Sequence, residues 1–267
     1  MAVFDITLFS NTLRRIVPIT AIIPVEAVEI PGVPKINKSK PFRSLYLLHG
    51  FSGGHLDWIR GSRIEQLSIM YNIAVFCPSG ENSFYLDDKV RGALYEQYIC
   101  GELIEVTRRV FNISKEKKDT SIGGFSMGGY GALHSGLKYN EVFGNVIAFS
   151  SALITEGIEE IVKQPDNPIA PPSYYIHTFG KPEEVRGGDA DPKALAKKLI
   201  DTKAALPNLY MACGTEDMLI ASNRDFDAYL TQIGFPHTYL ESPGMHNWAF
   251  WDNYTEKALD WLDGLSQ

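Results

Sequence analysis

The sequence predicts an α/β fold, with a mostly parallel sheet, antiparallel N-terminal edge strands and helices on both faces. Short apolar segments typical of buried strands alternate with segments of helical spacing, and this alternation favours parallel strands joined by helices. Two β-type segments joined by a polar turn come first in the chain. The 267 residues, of which 45% are hydrophobic, can build the sizeable core of one large domain.

Eight strands are predicted, each a short apolar run bounded by turn-forming or polar residues. The first two form an antiparallel pair, because Ser10-Asn11-Thr12 supplies a turn between them. A polar loop rich in lysine begins at Pro31 and leads to the third strand. In chain order the strands are residues 2–9, 15–25, 43–48, 73–77, 120–125, 145–149, 209–213 and 237–240.

Helices are predicted between the later strands. After the fourth strand, four apolar residues spaced i, i+4, i+7 and i+11 share one face of a long helix. These four are Ile99, Leu103, Val106 and Val110. Further helices are expected at residues 127–138, 226–233 and 254–265, and Gly234 ends the second of them.

Residues 152–206 interrupt this alternation. The segment contains Pro165, Pro168 and the pair Pro171-Pro172, then Tyr174-Tyr175, then a short helix begun by Asp191-Pro192. It is too long and irregular for a plain connection between strands. We therefore expect a single domain over residues 1–267, in which residues 152–206 form a cap-like insertion above the strand ends.

The charge and composition argue against several classes of function. A net charge of −7 disfavours nucleic acid and anionic membrane surfaces as partners. No run of about 18 apolar residues occurs, so no membrane span is expected. The N-terminus lacks the basic and apolar regions of a secretory signal, and Cys77, Cys100 and Cys213 lie in apolar stretches that favour buried thiols. These features predict a cytoplasmic protein.

The most informative motif is Gly124-Phe125-Ser126-Met127-Gly128, which reads G-x-S-x-G between a predicted strand and a predicted helix. A serine on such a sharp turn is lifted clear of the sheet, where its hydroxyl can attack a carbonyl. The alternative is an ordinary glycine-rich turn, because the pattern arises by chance in roughly one chain in ten of this length. The surrounding sequence has to decide between the two.

An activated serine needs a base, and the base needs an orienting carboxylate. With this kind of serine turn the acid and then the base follow the serine in the chain, from loops at strand ends. His246 comes directly after the last strand and is the candidate base; its alternative role is to cap the last helix. Asp217 follows the preceding strand and is favoured over Glu216 as the acid. The competing histidines are His49, His55, His134, His177 and His237.

A developing oxyanion needs two backbone N–H donors. The amide of Met127, next to the serine, is one candidate, and the amide of Phe51 in the loop after the third strand is the other. The competing interpretation of this glycine-containing loop is phosphate binding. That interpretation is disfavoured, because no G-K-[ST] follows.

Aromatic residues near these motifs could form a binding pocket for an acyl group, an aromatic acid or a sugar. Trp58 and Trp248 are the candidate substrate-binding residues, because each neighbours a motif. The alternative for each aromatic residue is ordinary core packing.

Five short blocks of the chain carry a family resemblance: His49-Gly50-Phe51, Asp57-Trp58, the nine residues from Gly124 to Ala132, Gly214-Thr215-Glu216-Asp217 and Gly244-Met245-His246-Asn247-Trp248. Together they resemble the esterase D-like branch of the α/β-hydrolases, which includes tributyrin, feruloyl and acetylxylan esterases, S-formylglutathione hydrolases and mycolyltransferases. The resemblance covers nearly the whole chain and is strongest for the short-chain tributyrin and feruloyl esterases. It implies an α/β-hydrolase fold with Ser126 as nucleophile, Asp217 as acid, His246 as base and the amides of Phe51 and Met127 as oxyanion donors.

The expected function is that of a serine carboxylic ester hydrolase acting on small-molecule short-chain acyl, acetyl or hydroxycinnamoyl esters. A thioesterase of the S-formylglutathione hydrolase type is the alternative, although those enzymes usually have His where this chain has Tyr130. A second alternative is a binding protein with an inactive hydrolase site. No cofactor or metal is expected, because no H-x-x-x-H motif or Cys/His cluster is present. A homo-oligomer is compatible with the resemblance, but no sequence feature sets the number of subunits.

Overall fold

The computed structural model describes residues 1–26 and 40–265. The lysine-rich loop predicted from Pro31 lies outside these described residues. Within them ten strands occur, of which eight form one sheet and two short ones pair separately. The strands are β1 (Ala2–Ser10), β2 (Arg15–Ile23), β3 (Arg43–Leu48), β4 (Ile73–Pro78), β5 (Asp87–Asp88), β6 (Ala93–Leu94), β7 (Thr120–Phe125), β8 (Asn145–Phe149), β9 (Asn208–Gly214) and β10 (Thr238–Ser242).

The large sheet has the strand order β1-β2-β4-β3-β7-β8-β9-β10. The strands from β4 to β10 in this order run parallel to one another. The hairpin of β1 and β2 joins β4 in the antiparallel sense and forms one edge of the sheet. This arrangement confirms the predicted mostly parallel sheet with antiparallel N-terminal edge strands.

Helices cover both faces of the sheet, as predicted, and bury two apolar clusters. One cluster includes Leu103, Leu133 and Leu195 on one side, and the other includes Ile64 and Leu259 on the opposite side. Parallel strands need this double cover, because both of their faces are apolar. The helices are α1 (Asp57–Gly61), α2 (Ile64–Met70), α3 (Tyr95–Gln97), α4 (Leu103–Val110), α5 (Met127–Lys138), α6 (Ile158–Ile161), α7 (Pro172–Phe179), α8 (Pro182–Val185), α9 (Pro192–Asp201), α10 (Ile220–Gln232) and α11 (Trp248–Gly264).

The helix predicted over residues 99–110 is interrupted, and its buried face differs from the prediction. A wide π-helical turn, Tyr98–Glu102, lies between α3 and α4. Such a turn holds more residues than an α-turn, so the residues after it are rotated about the helix axis. Ile99 and Leu103 are buried as predicted, but Thr107 is buried in place of Val110, which is 65% exposed.

The segment of residues 152–206 contains the helices α6 to α9 and a 3₁₀ turn at Thr155–Gly157. The last of these helices, α9, packs against α5 and α10. The assignment of the segment as a cap-like insertion in a single domain stays a prediction.

Two further expectations concern burial and helix length. Cys77, Cys100 and Cys213 are all buried and free, in agreement with the sequence prediction. Among the residues that the structure describes, no helix combines the length and the apolar character required to cross a bilayer.

Candidate active site

Ser126 lies between β7 and α5 in a backbone conformation that serine rarely adopts. Its φ is 58° and its ψ is −121°. A non-glycine residue in this region is strained, so the surrounding contacts must hold it there. Its N–H donates to the carbonyl of Phe149 at 2.9 Å, and its own carbonyl accepts from the amide of Ala152 at 3.0 Å. The adjoining strand and the segment after it therefore fix the serine at the tip of a sharp turn.

The two outer glycines of the motif are required by the close approach of backbone around this turn. A Cβ on Gly124 would lie 2.4 Å from the carbonyl oxygen of Gly128. A Cβ on Gly128 would lie 2.4 Å from the carbonyl oxygen of Leu48 and 2.6 Å from that of His49. Any larger residue would push the serine turn away from the end of β3.

Three predicted residues from distant parts of the chain meet at the carboxyl ends of the parallel strands. His246 Nε2 lies 3.0 Å from Ser126 Oγ. On the other side of the ring, His246 Nδ1 lies 2.9 Å from Asp217 Oδ2 and 3.1 Å from Oδ1. An Nδ1–H that donates to this carboxylate leaves Nε2 able to accept the serine proton.

Asp217 is held as a charged carboxylate. Its side chain is fully buried, and burial alone would raise its pKa. Hydrogen bonds from His246 and from the amide of Leu219 at 2.8 Å outweigh burial, so the pKa lies below its usual value. The ionised form can therefore stabilise a protonated imidazole at neutral pH.

The loops that bear Asp217 and His246 are joined directly. The amide of Thr215 donates to the carbonyl of Ser242 at 2.9 Å, and the amide of Glu216 donates to that of Gly244 at 3.1 Å. In return, Gly244 N–H donates to the Glu216 carboxylate at 2.5 Å. A Cβ on Gly214 would lie 2.1 Å from the carbonyl oxygen of Gly244. Glu216, the alternative acid, thus connects the two loops and is not bonded to the histidine.

The loop that contains Phe51 is organised by His49, for which the sequence had suggested only the role of a competing base. His49 Nδ1 lies 2.8 Å from the carbonyl of Gly50, and Nε2 accepts from the amide of Gly80 at 2.8 Å. Burial lowers the pKa of His49, which keeps the ring neutral with its proton on Nδ1. The hydroxyl of Tyr85 also donates to the His49 carbonyl. The His-Gly-Phe block at the end of β3 was the signal available in the sequence.

The turn after Phe51 is supported by a residue that sequence reasoning missed. Ser52 has a positive φ of 63°, and its amide donates to Asn82 Oδ1 at 2.7 Å. The Phe51 ring meets the Tyr174 ring edge to face at 5.5 Å. Among the described residues, the amide of Phe51 itself donates no hydrogen bond, so it is available to a ligand. Met127, the other predicted donor, is the first residue of α5, where helix amides have no intrahelical partner.

Strained backbone is concentrated around this part of the molecule. Nine described non-glycine residues have a positive φ. Six of them lie in or beside the segments that carry Phe51, Asn82 and the serine turn: Ser52, Glu81, Phe84, Tyr85, Ser126 and Ser150. Strain of this kind typically collects at functional sites, where the surrounding structure over-determines the conformation.

The two tryptophans predicted to bind substrate have different surroundings. Trp58 is fully buried, and its indole N–H donates to the carbonyl of Leu48 at 3.1 Å. Its ring packs against Phe125. Because a fully buried ring offers no surface to a ligand, the position of Trp58 does not fit the predicted substrate-binding role. Trp248 is partly exposed and packs against Trp58 and Trp251, so its role stays a prediction.

The other histidines are engaged elsewhere. His134 in α5 is buried, with Nε2 at 3.0 Å from the carbonyl of Asp189. His237 Nε2 lies 2.8 Å from Asp227 Oδ1. Among residues 1–26 and 40–265, no three His, Cys, Asp or Glu side chains are arranged to hold a metal ion.

Comparisons with known proteins identify a family, a relative and similar structures. The Esterase family model matches residues 31–261. An acetyl esterase of Caldicellulosiruptor saccharolyticus is 43% identical over 266 residues, which span 100% of each chain. The structure resembles that of fluorophosphonate-binding serine hydrolase F of Staphylococcus aureus, with 27% identity, 98% of each chain covered and a TM-score of 0.84. It also resembles S-formylglutathione hydrolase of Staphylococcus aureus, with 26% identity, 98% of each chain covered and a TM-score of 0.83.

Proposed function

The chain belongs to the Esterase family, and on that premise we propose that it hydrolyses carboxylic esters of short acyl groups through an acyl-enzyme formed on Ser126. The observation that supports this most directly is the chain of hydrogen bonds from Asp217 through His246 to Ser126. It is the arrangement that converts a serine hydroxyl into a nucleophile.

In the proposed mechanism Ser126 Oγ attacks the ester carbonyl, and its proton moves to His246 Nε2. The imidazolium then gives this proton to the leaving alcohol, so the acyl group remains on the serine. A water molecule repeats the sequence against the acyl-enzyme, with His246 again as base. Asp217 keeps the imidazole in one tautomer and stabilises its charged form.

The negative charge that develops on the carbonyl oxygen needs donors that are already in place. We assign this role to the amides of Phe51 and Met127. The lack of a hydrogen-bond acceptor for the Phe51 amide in the described residues supports the assignment. Each such donor is worth about 10²–10³ in rate in a serine hydrolase.

An acetyl ester is the favoured substrate, because the relative that matches the whole chain is named an acetyl esterase. A thioesterase acting on S-formylglutathione is the second candidate, supported by the structural likeness to such a hydrolase. Tyr130, which stands where those enzymes usually have His, is buried and donates to the carbonyl of Ala190 at 2.6 Å. Tyr130 therefore has a structural role at a position where S-formylglutathione hydrolases usually have His, and this difference favours the ester over the thioester as substrate.

The two candidates are separated by measuring kcat/KM on p-nitrophenyl acetate, methyl ferulate and S-formylglutathione with one enzyme preparation. We expect the acetyl ester to have the highest value. A higher value for S-formylglutathione would assign the thioesterase activity instead, and a higher value for methyl ferulate would assign a hydroxycinnamoyl esterase. Absence of labelling by a fluorophosphonate probe would contradict both and favour a binding protein.

A further inference from the structure

The Phe51 amide, assigned above as an oxyanion donor, lies at the second position of a tight turn over residues 50–53. The amide of Gly53 donates to the carbonyl of Gly50 at 3.1 Å and closes this turn. The Gly50 carbonyl and the Phe51 N–H belong to one planar peptide unit, so a bond to the first sets the direction of the second. His49 Nδ1 donates to the same carbonyl at 2.8 Å. The geometry of the turn therefore determines where the Phe51 N–H points.

The turn has the type II form, which a serine at its third position does not favour. Ser52 has a φ of 63°, whereas Phe51 does not have a positive φ. A positive φ at the third residue alone is the mark of type II, and that position is normally occupied by glycine or asparagine. The commoner type I form differs by a flip of the peptide between the second and third residues. Another contact must therefore hold this turn in the type II form.

Asn82 supplies that contact. Its Oδ1 accepts from the N–H of Ser52 at 2.7 Å. This N–H belongs to the peptide between Phe51 and Ser52, which is the one that flips between the two forms. A flip would turn the N–H away from Asn82 and break the bond. Asn82 therefore stabilises the type II form against the type I form.

Asn82 is itself held by the helix α7. The hydroxyl of Tyr174 in this helix donates to the backbone carbonyl of Asn82 at 2.6 Å. The Tyr174 ring also meets the Phe51 ring edge to face at 5.5 Å. Two residues before Asn82, the amide of Gly80 donates to His49 Nε2 at 2.8 Å. The loop that carries Asn82 is thus bonded both to α7 and to the strand end from which the turn begins.

We propose that Asn82 and Tyr174 are positioning residues, which hold the turn of residues 50–53 in its type II form and so keep the Phe51 amide in place as an oxyanion donor. This inference rests on the proposed function, because it requires that amide to stabilise the oxyanion. Neither side chain needs to touch the substrate. A turn that exchanged between two forms would displace the donor, and such a donor is effective only when it is preorganised.

Asn82→Ala tests the inference, with Ser52→Gly as its suppressor. Values of kcat and KM are measured on p-nitrophenyl acetate, per active site titrated with a fluorophosphonate. We expect Asn82→Ala to lower kcat by about tenfold or more with KM changed by less than about twofold, because loss of a donor costs about 10²–10³ and a displaced donor loses part of that. Glycine adopts a positive φ freely, so in the Ser52→Gly background the same change is expected to cost less than about threefold.

Lys203→Gly is the matched control for the suppressor. Lys203 also has a positive φ, 54°, but follows α9. In the Lys203→Gly background, Asn82→Ala is expected to keep its full effect on kcat. If Ser52→Gly did not reduce the loss, or if Lys203→Gly reduced it equally, the inference would be overturned, because the effect of Asn82 would then not act through the form of the turn.

Tyr174→Phe provides a second variant in case Asn82→Ala does not fold. It removes only the hydroxyl bonded to Asn82, and we expect kcat to fall by about threefold or more, again less in the Ser52→Gly background. Tyr175→Phe is its control on the same helix, where the Tyr175 hydroxyl donates to Asn167 Oδ1 at 3.3 Å, and it is expected to keep the wild-type kcat.

The outcomes also separate this inference from the proposed function. If the fluorophosphonate labels Ser126 and the enzyme is active, but Asn82→Ala and Tyr174→Phe keep the wild-type kcat, this inference alone is wrong. If the wild-type protein is neither labelled nor active on esters, the proposed function is wrong and this inference with it.

Discussion

At the scale of single residues, the proposed chemistry depends on where one proton is held. Asp217 accepts from His246 Nδ1, so Nε2 faces Ser126 with a free electron pair. The order of serine, acid and histidine along the chain was sufficient to predict these three residues. Ser126 lies in the turn after one strand, and Asp217 and His246 each lie in the loop after a later strand. Which hydrogen bonds these three residues form with one another depends on the distances between their side chains.

Replacement of the proposed nucleophile is the first test at this scale. Ser126→Ala is expected to lower kcat by about 10⁵–10⁶, leaving only the effects of binding and oxyanion stabilisation. The loss is measured on p-nitrophenyl acetate against wild type. Ser222→Ala, which removes a hydroxyl bonded to the carbonyl of Leu219, is the control and is expected to keep normal activity. More than a tenth of the wild-type kcat in Ser126→Ala would end the assignment.

His49 illustrates a role that depends on burial and partners rather than on residue type. A histidine at a strand end near the site is a reasonable candidate base from the sequence. Both of its ring nitrogens are occupied by backbone groups, and burial lowers its pKa. It therefore shapes the loop of Phe51 and has no nitrogen free for catalysis.

At the scale of elements, the junction of β7 with α5 and β3 sets the geometry of the site. The glycines of the motif allow the serine turn to approach the end of β3 within distances that a Cβ would prevent. That end of β3 leads directly to Phe51. The turn that presents Ser126, the proposed nucleophile, and the loop that presents the amide of Phe51, a proposed oxyanion donor, are thus packed against each other.

Gly128→Ala is expected to lower the free energy of unfolding by about 1–3 kcal/mol or more, because the new Cβ would clash with two backbone oxygens. It is also expected to reduce activity, since the clash displaces the loop before Phe51. The measurements are urea unfolding and kcat/KM.

The matched control for this prediction is Gly264→Ala, at the end of α11. Within residues 1–26 and 40–265, no atom lies within 4 Å of a Cβ built there. Alanine favours the helix, so stability is expected to be unchanged or higher by up to about 1 kcal/mol. Equal destabilisation of both variants would show that loss of glycine flexibility, rather than the clash, explains the effect at residue 128.

The π-helical turn before α4 is an element that periodicity could not predict. The four apolar residues fit a regular helix, and the first two are buried as such a helix requires. The extra residue in the wide turn rotates the rest and leaves Val110 in solvent. The choice between an α-turn and a π-turn depends on packing against the sheet and not on the local pattern.

At the scale of the whole molecule, the parallel sheet brings together loops that are about 90–120 residues apart in the chain. The loops of Asp217 and His246 are joined by backbone hydrogen bonds, and the Asp217 side chain is buried. Site geometry and global stability are therefore coupled. A buried carboxylate that must stay charged makes this coupling dependent on pH.

The pKa of Asp217 is below its usual value in the folded protein, because hydrogen bonds outweigh its burial. A carboxylate of this kind contributes stability above the pKa of an unfolded aspartate, about 3.9, and the contribution is lost as the pH falls through the folded pKa. We expect the difference in unfolding free energy between wild type and Asp217→Asn to be constant from pH 7 to about 5 and to shrink below about pH 4. Urea unfolding at several pH values measures it, and a difference that persists to pH 3 would contradict the prediction.

The amino-acid sequence was enough to predict the α/β architecture, the antiparallel edge and Ser126, Asp217 and His246 as candidate site residues. These follow from local signals, namely apolar runs, helical spacing and a glycine-rich turn at a strand end. Trp58 shows the limit of such signals, because proximity to a motif in the chain did not mean exposure in the site.

The folded structure was needed to show that Glu216 joins two loops, that His49 organises the Phe51 loop and that Trp251 packs against His246. Each of these roles is a contact between residues far apart in the chain. The physical reason is that a side chain's chemistry depends on its partners and its burial, and both are set when the sheet brings distant loops to one edge.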